Sequence, residues 1–202
     1  MNLNKTMKKI LLDCGAHLGK GLRRQVEINK IDSSWKVYAW EANPYTYQSF
    51  LENTRFHHLD VTAYHAAVSN ENGSIKFNIQ RSTDKAGNDA RFGTGSSIVS
   101  LDEWRPAGKK PFIEEVEVPK IDLSEWIGKN LNEEDYVIVK MDIEGAEYDT
   151  LEKIIEDGQL KYIKKLYIEW HSTMFSEPEK YKVREDKIIE EFKKFNIPVE
   201  PW

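Results

Sequence analysis

Cysteine is almost missing from this chain. Cys14 stands alone among 202 residues, so no intramolecular disulfide can form and a disulfide-stapled fold is excluded. Long apolar runs are missing too. None approaches the ~20 residues of a membrane-spanning helix. The positively charged start, Met1 to Lys9, leads into only a few apolar residues before Asp13, too short for a signal-peptide core. These absences set the expectation of a soluble, cytoplasmic protein with no membrane partner. A dense basic block is also lacking: Lys8-Lys9, Lys109-Lys110 and Lys164-Lys165 are isolated pairs, and the net charge is -5. Nucleic acid is therefore not expected as a partner, because polyanion binding calls for a basic face. No internal repeat and no linker divides the chain, so residues 1–202 are expected to form one domain.

What is present is an alternation of strand-like and helix-like segments. Lys9 to Asp13 is a short apolar run and reads as a buried strand; Lys20 to Asn29 reads as a helix. Lys36 to Trp40 is a second strand. Asn43 caps a helix that opens with Pro44 and runs to about Asn53. Val61 to Val68 is a third strand, and Asn70-Glu-Asn-Gly73 looks like a hairpin turn into a strand over Ser74 to Ile79. Residues 80–111 are rich in Gly, Ser, Asp and Lys, a long stretch of the kind that is usually functional. Phe112 to Val118 alternates again, and Asp122 to Ile127 is a short helix. Tyr136 to Met141 is the best buried strand. A helix follows Gly145 and stops at Gly158. Lys165 to Trp170 is another strand, and Glu179 to Phe195 an amphipathic helix. Apolar strands alternating with helices imply a doubly wound, mostly parallel α/β sheet. Ligands of such sheets bind at the strand carboxyl ends, where strand order reverses.

The first strand ends in Asp13-Cys-Gly15-Ala-His-Leu-Gly19, where two glycines allow a tight turn and close approach of a ligand. Glu41 ends the second strand, where an acid can accept both hydroxyls of a ribose. Together they argue for a nucleoside-containing cofactor. A dinucleotide fingerprint would carry Gly where Asp13 stands, and a carboxylate there would repel a pyrophosphate. It would suit a cationic amino-acid portion, which favours S-adenosylmethionine over a nicotinamide dinucleotide. The plainer alternatives are a glycine-rich connection of any doubly wound fold, and Glu41 as partner to the dipole of the helix opening at Pro44.

The chain resembles the FkbM family of S-adenosylmethionine-dependent methyltransferases. The matching pieces are Leu12 to Gly19, Val37 to Pro44, Ala66 to Gly73, Val118 to Leu123, Val139 to Glu147 and Ile168 to His171. The segment Lys140-Met-Asp-Ile-Glu-Gly-Ala-Glu147 is the most distinctive. The resemblance implies a class I, Rossmann-like methyltransferase fold and O-methylation, often of sugars or natural products. It implies that Asp13, Gly15, Ala16, His17 and Gly19 surround the methionine portion, that Glu41, with Ala42 beside it, holds the ribose, and that Ala67 and Val68 lie beside the adenine. Residues 80–111 match poorly and are where substrate choice is expected. The strand hairpin that ends this fold is shortened or absent.

Asp142 and Glu144 follow the best strand two residues apart, and Glu169 and His171 repeat that spacing after the next one. Side chains two apart in extended chain point the same way. These four could supply a base and the group that orients it, or Asp142, Glu169 and His171 could bind a divalent cation. Glu144 and Glu147 could instead complement a helix dipole, and His171 could be a structural histidine. Trp104, Arg91, Phe92 and Arg105 could stack on a sugar or serve local packing. His57-His58 reads as a surface pair and Cys14 as a small packed residue. The reading is an O-methyltransferase acting on a hydroxyl of a carbohydrate, glycan or other small polar metabolite. A nicotinamide-dependent oxidoreductase on a similar fold and a non-catalytic cofactor-binding module are its competitors.

Overall fold

A computed structural model of the chain describes residues 7–53, 56, 58–83, 89–100, 102–104 and 112–202. Six parallel strands form its main sheet. In chain order they are β1 (Lys9–Cys14), β2 (Trp35–Glu41), β3 (Asp60–His65), β9 (Tyr136–Met141), β10 (Ile163–Ile168) and β11 (Val199–Pro201). Their spatial order is β11-β10-β9-β1-β2-β3. The chain thus builds outward from β1 in one direction, then restarts at β9 and builds in the other. The reversal lies between β1 and β9.

Period-two alternation along the central strands feeds two separate cores. Ile10, Leu12 and Cys14 of β1 and Val137, Val139 and Met141 of β9 face one side, with Leu123, Tyr148, Leu151, Ile188 and Phe192. Those partners come from α3 (Leu123–Asn130), α4 (Glu147–Glu156) and α5 (Pro178–Lys194). Leu11 and Ile138 face the other side, with Leu22 and Phe50 of α1 (Lys20–Asn29) and α2 (Pro44–Leu51). Helices on both faces explain why the central strands read as continuous apolar runs. Asn43 caps α2 as its sequence implies, its side chain accepting the Tyr45 N–H at 3.0 Å.

The stretch taken as a third strand, Val61 to Val68, is two strands. β3 ends at His65, and Ala66 turns back so that its N–H reaches the Glu41 carbonyl at 3.1 Å. β4 (Ala67–Ser69) then joins a second, three-stranded sheet with β5 (Gly73–Gln80) and β8 (Phe112–Asp122). In that sheet β8 lies between β4 and β5. The Asn70 to Gly73 turn is therefore not a hairpin: β4 runs parallel to β8 and β5 antiparallel to it. The turn chemistry was legible, but the intervening strand comes from far along the chain, where Lys120 pairs with both Ala67 and Gly73. Between β5 and β8 a short ribbon forms from β6 (Ser82–Thr83) and β7 (Asp89–Ala90), and Ser97 bridges back to Asn78. At the far edge β11 adds parallel to β10, and among the described residues no antiparallel strand joins the main sheet. No helix is long and apolar enough to cross a membrane among the described residues.

Candidate functional site

A cavity of about 290 Å³ opens at the carboxyl ends of the main-sheet strands, where strand order reverses. Gly15, Ala16 and His17 follow β1 into it; Glu41, Ala42 and Asn43 follow β2; Asp142, Ile143 and Glu144 follow β9; and Glu169 follows β10. Its apolar part is made by Trp40, Ala66, Ala67, Val68, Phe77 and Ile98, a slot suited to a flat ring. Glu41 stands beside that slot, mostly buried and tightly held. Its carboxylate accepts the His17 N–H at 2.7 Å and the Asn43 N–H at 2.8 Å. One acidic side chain thereby ties the β1 and β2 loops together. His65 reinforces the second loop, its Nε2–H donating to the Ala42 carbonyl at 3.0 Å.

Gly15 has φ of +83°, a conformation that disfavours side chains, and a Cβ there would lie 1.9 Å from the backbone oxygen of Asp142. Its missing side chain thus admits a neighbouring loop, rather than a ligand. Gly19, unlike Gly15, does not line the cavity; it faces the Phe56 ring.

Asp13 is turned away from the cavity as well. Parallel register sets Asp13 directly opposite Lys140, on the sheet face covered by α1. The two side chains pair at 3.3 Å and both are fully buried. Lys140 also donates to the Gly15 carbonyl at 2.6 Å and the Cys14 carbonyl at 3.3 Å. Gly21 of α1 gives the lysine room, since a Cβ there would come within 3.1 Å of its stem. Burial lowers the Lys140 pKa, but the carboxylates of Asp13 and Asp142 outweigh it and hold the ammonium charged. Burial pushes the Asp13 carboxyl upward, against the attraction of Lys140. The expected direct contact of Asp13 with a cationic ligand is therefore corrected: Lys140 takes that charge, and Lys140, with Lys20, is what the cavity sees.

The second cluster is built around His171. Its Nδ1–H donates to Glu147 at 3.0 Å, while Nε2 lies 3.5 Å from Glu144 and 4.0 Å from Asp142. Glu147 is fully buried and also accepts the Ile143 and Gly145 N–H groups, each at 2.8 Å. It shapes the β9–α4 connection and orients the imidazole at once. Burial lowers the His171 pKa, but Glu147, Glu144 and Asp142 carry it up to about 10. At neutral pH it is an imidazolium. Burial, with Asp142, Glu147 and Glu169 adding to it, pushes the Glu144 carboxyl up to about 8, and burial raises Glu169 too. His171 does not line the cavity, whereas Asp142, Glu144 and Glu169 do. His171 stands behind the carboxylates, a place that suits the orienting and structural readings of it. Donor atoms of Asp142, Glu144 and His171 lie within 4.8 Å of one another, a set that could hold a divalent cation; Glu169, expected in that set, is not part of it.

A family model described as the methyltransferase FkbM domain matches residues 13–195. The chain belongs to the FkbM methyltransferase family. Searches of curated proteins and of solved structures give no match.

In this FkbM domain residues 93–98, between β5 and β8, roof the cavity. Gly93, Thr94, Ser96 and Ile98 line it. Just before them the chain is latched to the loops after β1 and β2: Asn43 Nδ2–H donates to the Arg91 carbonyl at 2.7 Å, and His17 Nε2–H to the Phe92 carbonyl at 3.2 Å. Trp104 is buried against His171 and Phe175. It sits on Gly145, whose φ is +104° and where a Cβ would come 2.8 Å from the indole. Trp104 is thus packing; Arg91 pairs with Glu114 at 2.6 Å and is half-exposed, and Phe92 is exposed. Arg105 and His57 lie outside the described residues, and His58 is exposed. Cys14 is buried, and burial raises its thiol pKa, so it is inert packing as expected.

Of the residues singled out beforehand, Gly15, Ala16, His17, Glu41, Ala42, Ala67, Val68, Asp142, Glu144 and Glu169 converge on the cavity; Asp13, Gly19 and His171 do not line it. Sequence reasoning missed Lys140, Phe77, Ile98 and Trp202, which do line it. A lysine in the most apolar strand was the available signal for Lys140. Nothing local marks the other three, which come from remote segments.

Proposed function

We propose that this FkbM domain is an S-adenosylmethionine-dependent O-methyltransferase acting on a hydroxyl of a carbohydrate, glycan or other small polar metabolite. The observation that carries the reading is the charge of the cavity. Among its described lining residues, Glu41, Asp142, Glu144 and Glu169 face Lys20 and Lys140. Acidic side chains outnumber ammonium groups here, and that disfavours a pyrophosphate, and with it the nicotinamide reading. Both signs at one end suit an amino acid's ammonium and carboxylate. Glu41 beside an apolar slot suits a ribose next to a base.

When bound, S-adenosylmethionine supplies an activated methyl group on a sulfonium. The chain's own residues do the rest. Trp40, Val68, Phe77 and Ile98 exclude water from the base. Glu41 orients the sugar; Lys140 and Asp142 orient the amino-acid end. Such orientation is worth several kcal/mol, up to about 7–11 in favourable systems. The proton of the acceptor hydroxyl passes to a carboxylate oxygen of Asp142 or Glu169. His171, cationic and fixed by Glu147, balances the charge of this acidic group. Alternatively, a divalent cation held by Asp142, Glu144 and a deprotonated His171 would take over that balancing role and increase the acidity of the hydroxyl; two carboxylates and one neutral imidazole are chemically suited to one.

The test is calorimetric titration with S-adenosylhomocysteine and, separately, NAD, followed by a labelled-methyl screen over glycans, nucleotide sugars and small hydroxylated metabolites with and without Mg²⁺. Binding of S-adenosylhomocysteine and not NAD is expected. Heat from NAD alone would end the methyltransferase reading. Asp142→Asn and Glu169→Gln should each lower turnover, by ~10²–10⁴-fold where the group is the base, with S-adenosylhomocysteine affinity little changed for Glu169→Gln.

A further inference from the structure

The wall of the cavity beside Lys140 is an indole. Trp202 follows β11, and its backbone N–H donates to the Ile168 carbonyl at 3.0 Å. That bond fixes the residue at the carboxyl end of β10. Its Nε1–H donates to Asp142 Oδ2 at 2.9 Å. The ring lies 5.2 Å from Lys140 Nζ and 5.1 Å from the Arg24 guanidinium carbon. It also packs against α1, where a Cβ on Gly21 would come 3.4 Å from the ring. Asp142 Oδ1, the oxygen the indole leaves free, is 4.0 Å from His171 Nε2.

We propose that Trp202 is a positioning residue of this site, holding the Asp142 carboxylate by one oxygen and sealing the Asp13–Lys140 pair at the amino-acid end of the cofactor cavity. The first half stands on geometry alone; the second rests on the methyltransferase reading. Asp142 sits on a loop beyond β9, where a carboxylate has several staggered rotamers. The indole bond and Lys140 at 3.8 Å select the one that leaves Oδ1 toward His171. The ring also replaces water over Lys140 Nζ. A dry cation over an aromatic face is favoured, and its pairing with Asp13 stays strong only while water is kept out.

Two measurements test the two halves. In a nitrogen–proton correlation spectrum the chain's six tryptophans give indole signals, and Trp202→Phe identifies the one that belongs to Trp202. Asp142→Asn should move that signal more than any other indole, because it removes the charged acceptor. If the signal stays in place, the anchor is refuted. Calorimetry with S-adenosylhomocysteine then compares three proteins. Trp202→Phe keeps an aromatic wall and should bind within about 3-fold of the native chain, while Trp202→Ala should bind at least about 10-fold more weakly, a 1.4 kcal/mol loss. Equal affinity in all three overturns the sealing role. If Trp202→Ala does not fold, Trp202→Leu takes its place, with the same expectation. A native chain that binds no S-adenosylhomocysteine defeats the methyltransferase reading, and the indole signal still decides the anchor.

Discussion

Replacing Lys140 by Met should destabilise this protein more than almost any other single change to a charged residue. Lys140 and Asp13 are 1 % and 0 % exposed, so the substitution strands a carboxylate in the sheet. Loss of one partner of a buried pair costs about 3–5 kcal/mol, most of it the solvation of the charge left behind. In a chain of this size each kcal/mol shifts the melting temperature by about 2–4 °C, so a fall of roughly 6–20 °C is expected. Part of that cost belongs to the bonds that Lys140 makes to the Cys14 and Gly15 carbonyls. Removing Asp13 as well, in Asp13→Leu/Lys140→Met, should therefore recover some of the loss, and not all of it. The amount by which the double variant's loss falls short of the sum of the two single losses is a coupling free energy of about 0.5–3 kcal/mol. Urea unfolding of native, both single and double variants gives the four stabilities. A Lys140→Met chain that melts with the native one, or single-variant losses that simply add, would refute the buried-pair account.

Three further outcomes follow from the same geometry. Glu41→Ala removes a buried carboxylate that accepts two N–H groups and should weaken S-adenosylhomocysteine binding about 10- to 100-fold, from a charged hydrogen bond of about 1.5–3 kcal/mol; unchanged affinity in calorimetry would remove Glu41 from the cofactor site. Gly145→Ala places a methyl group against Trp104 at a positive φ and should cost about 1–3 kcal/mol, read as a lowered urea midpoint; a neutral result would mean the Trp104 roof is not fixed on this loop. Asp135 accepts the Lys8 N–H at 3.1 Å and the Asn132 N–H at 3.0 Å. Burial raises its pKa, but these bonds outweigh it and hold the carboxyl below its ordinary value. The folded state then binds fewer protons than the unfolded one, so this stabilisation is present above about pH 4 and vanishes as pH falls through the depressed folded value. Asp135→Ala should be less stable than native at pH 7 and converge with it under acid; a gap that stays constant down to pH 2 would contradict the assignment.

Local signals were enough for the elements that are local. Lys20–Asn29 and Tyr136–Met141 have the ends their sequence suggests, because helix periodicity and an unbroken apolar run both arise within a segment. That Glu41, Asp142 and Glu169 would meet at one cavity was legible because a strand end in a parallel sheet has a fixed address. The sequence could not show that Ala66 breaks Val61 to Val68 into strands of different sheets, nor that β8 separates β4 from β5. Both follow from pairings between residues far apart in the chain.

By itself, then, the sequence determined the family, the alternation of strand and helix, and the loops that would carry chemistry. Register and packing decided the rest. Asp13 looked like a ligand-binding acid until pairing of β1 with β9 set Lys140 beside it. His171 was open as a base, an orienter, a cation ligand or a structural histidine until Glu147 and Trp104 enclosed it. Trp202 carried no local mark, and only strand addition at the sheet edge brings it to Asp142. The physical reason is the same in each case: a charge's role depends on which opposite charge lies within a few ångströms, and that is fixed by three-dimensional neighbours, not by neighbours in sequence.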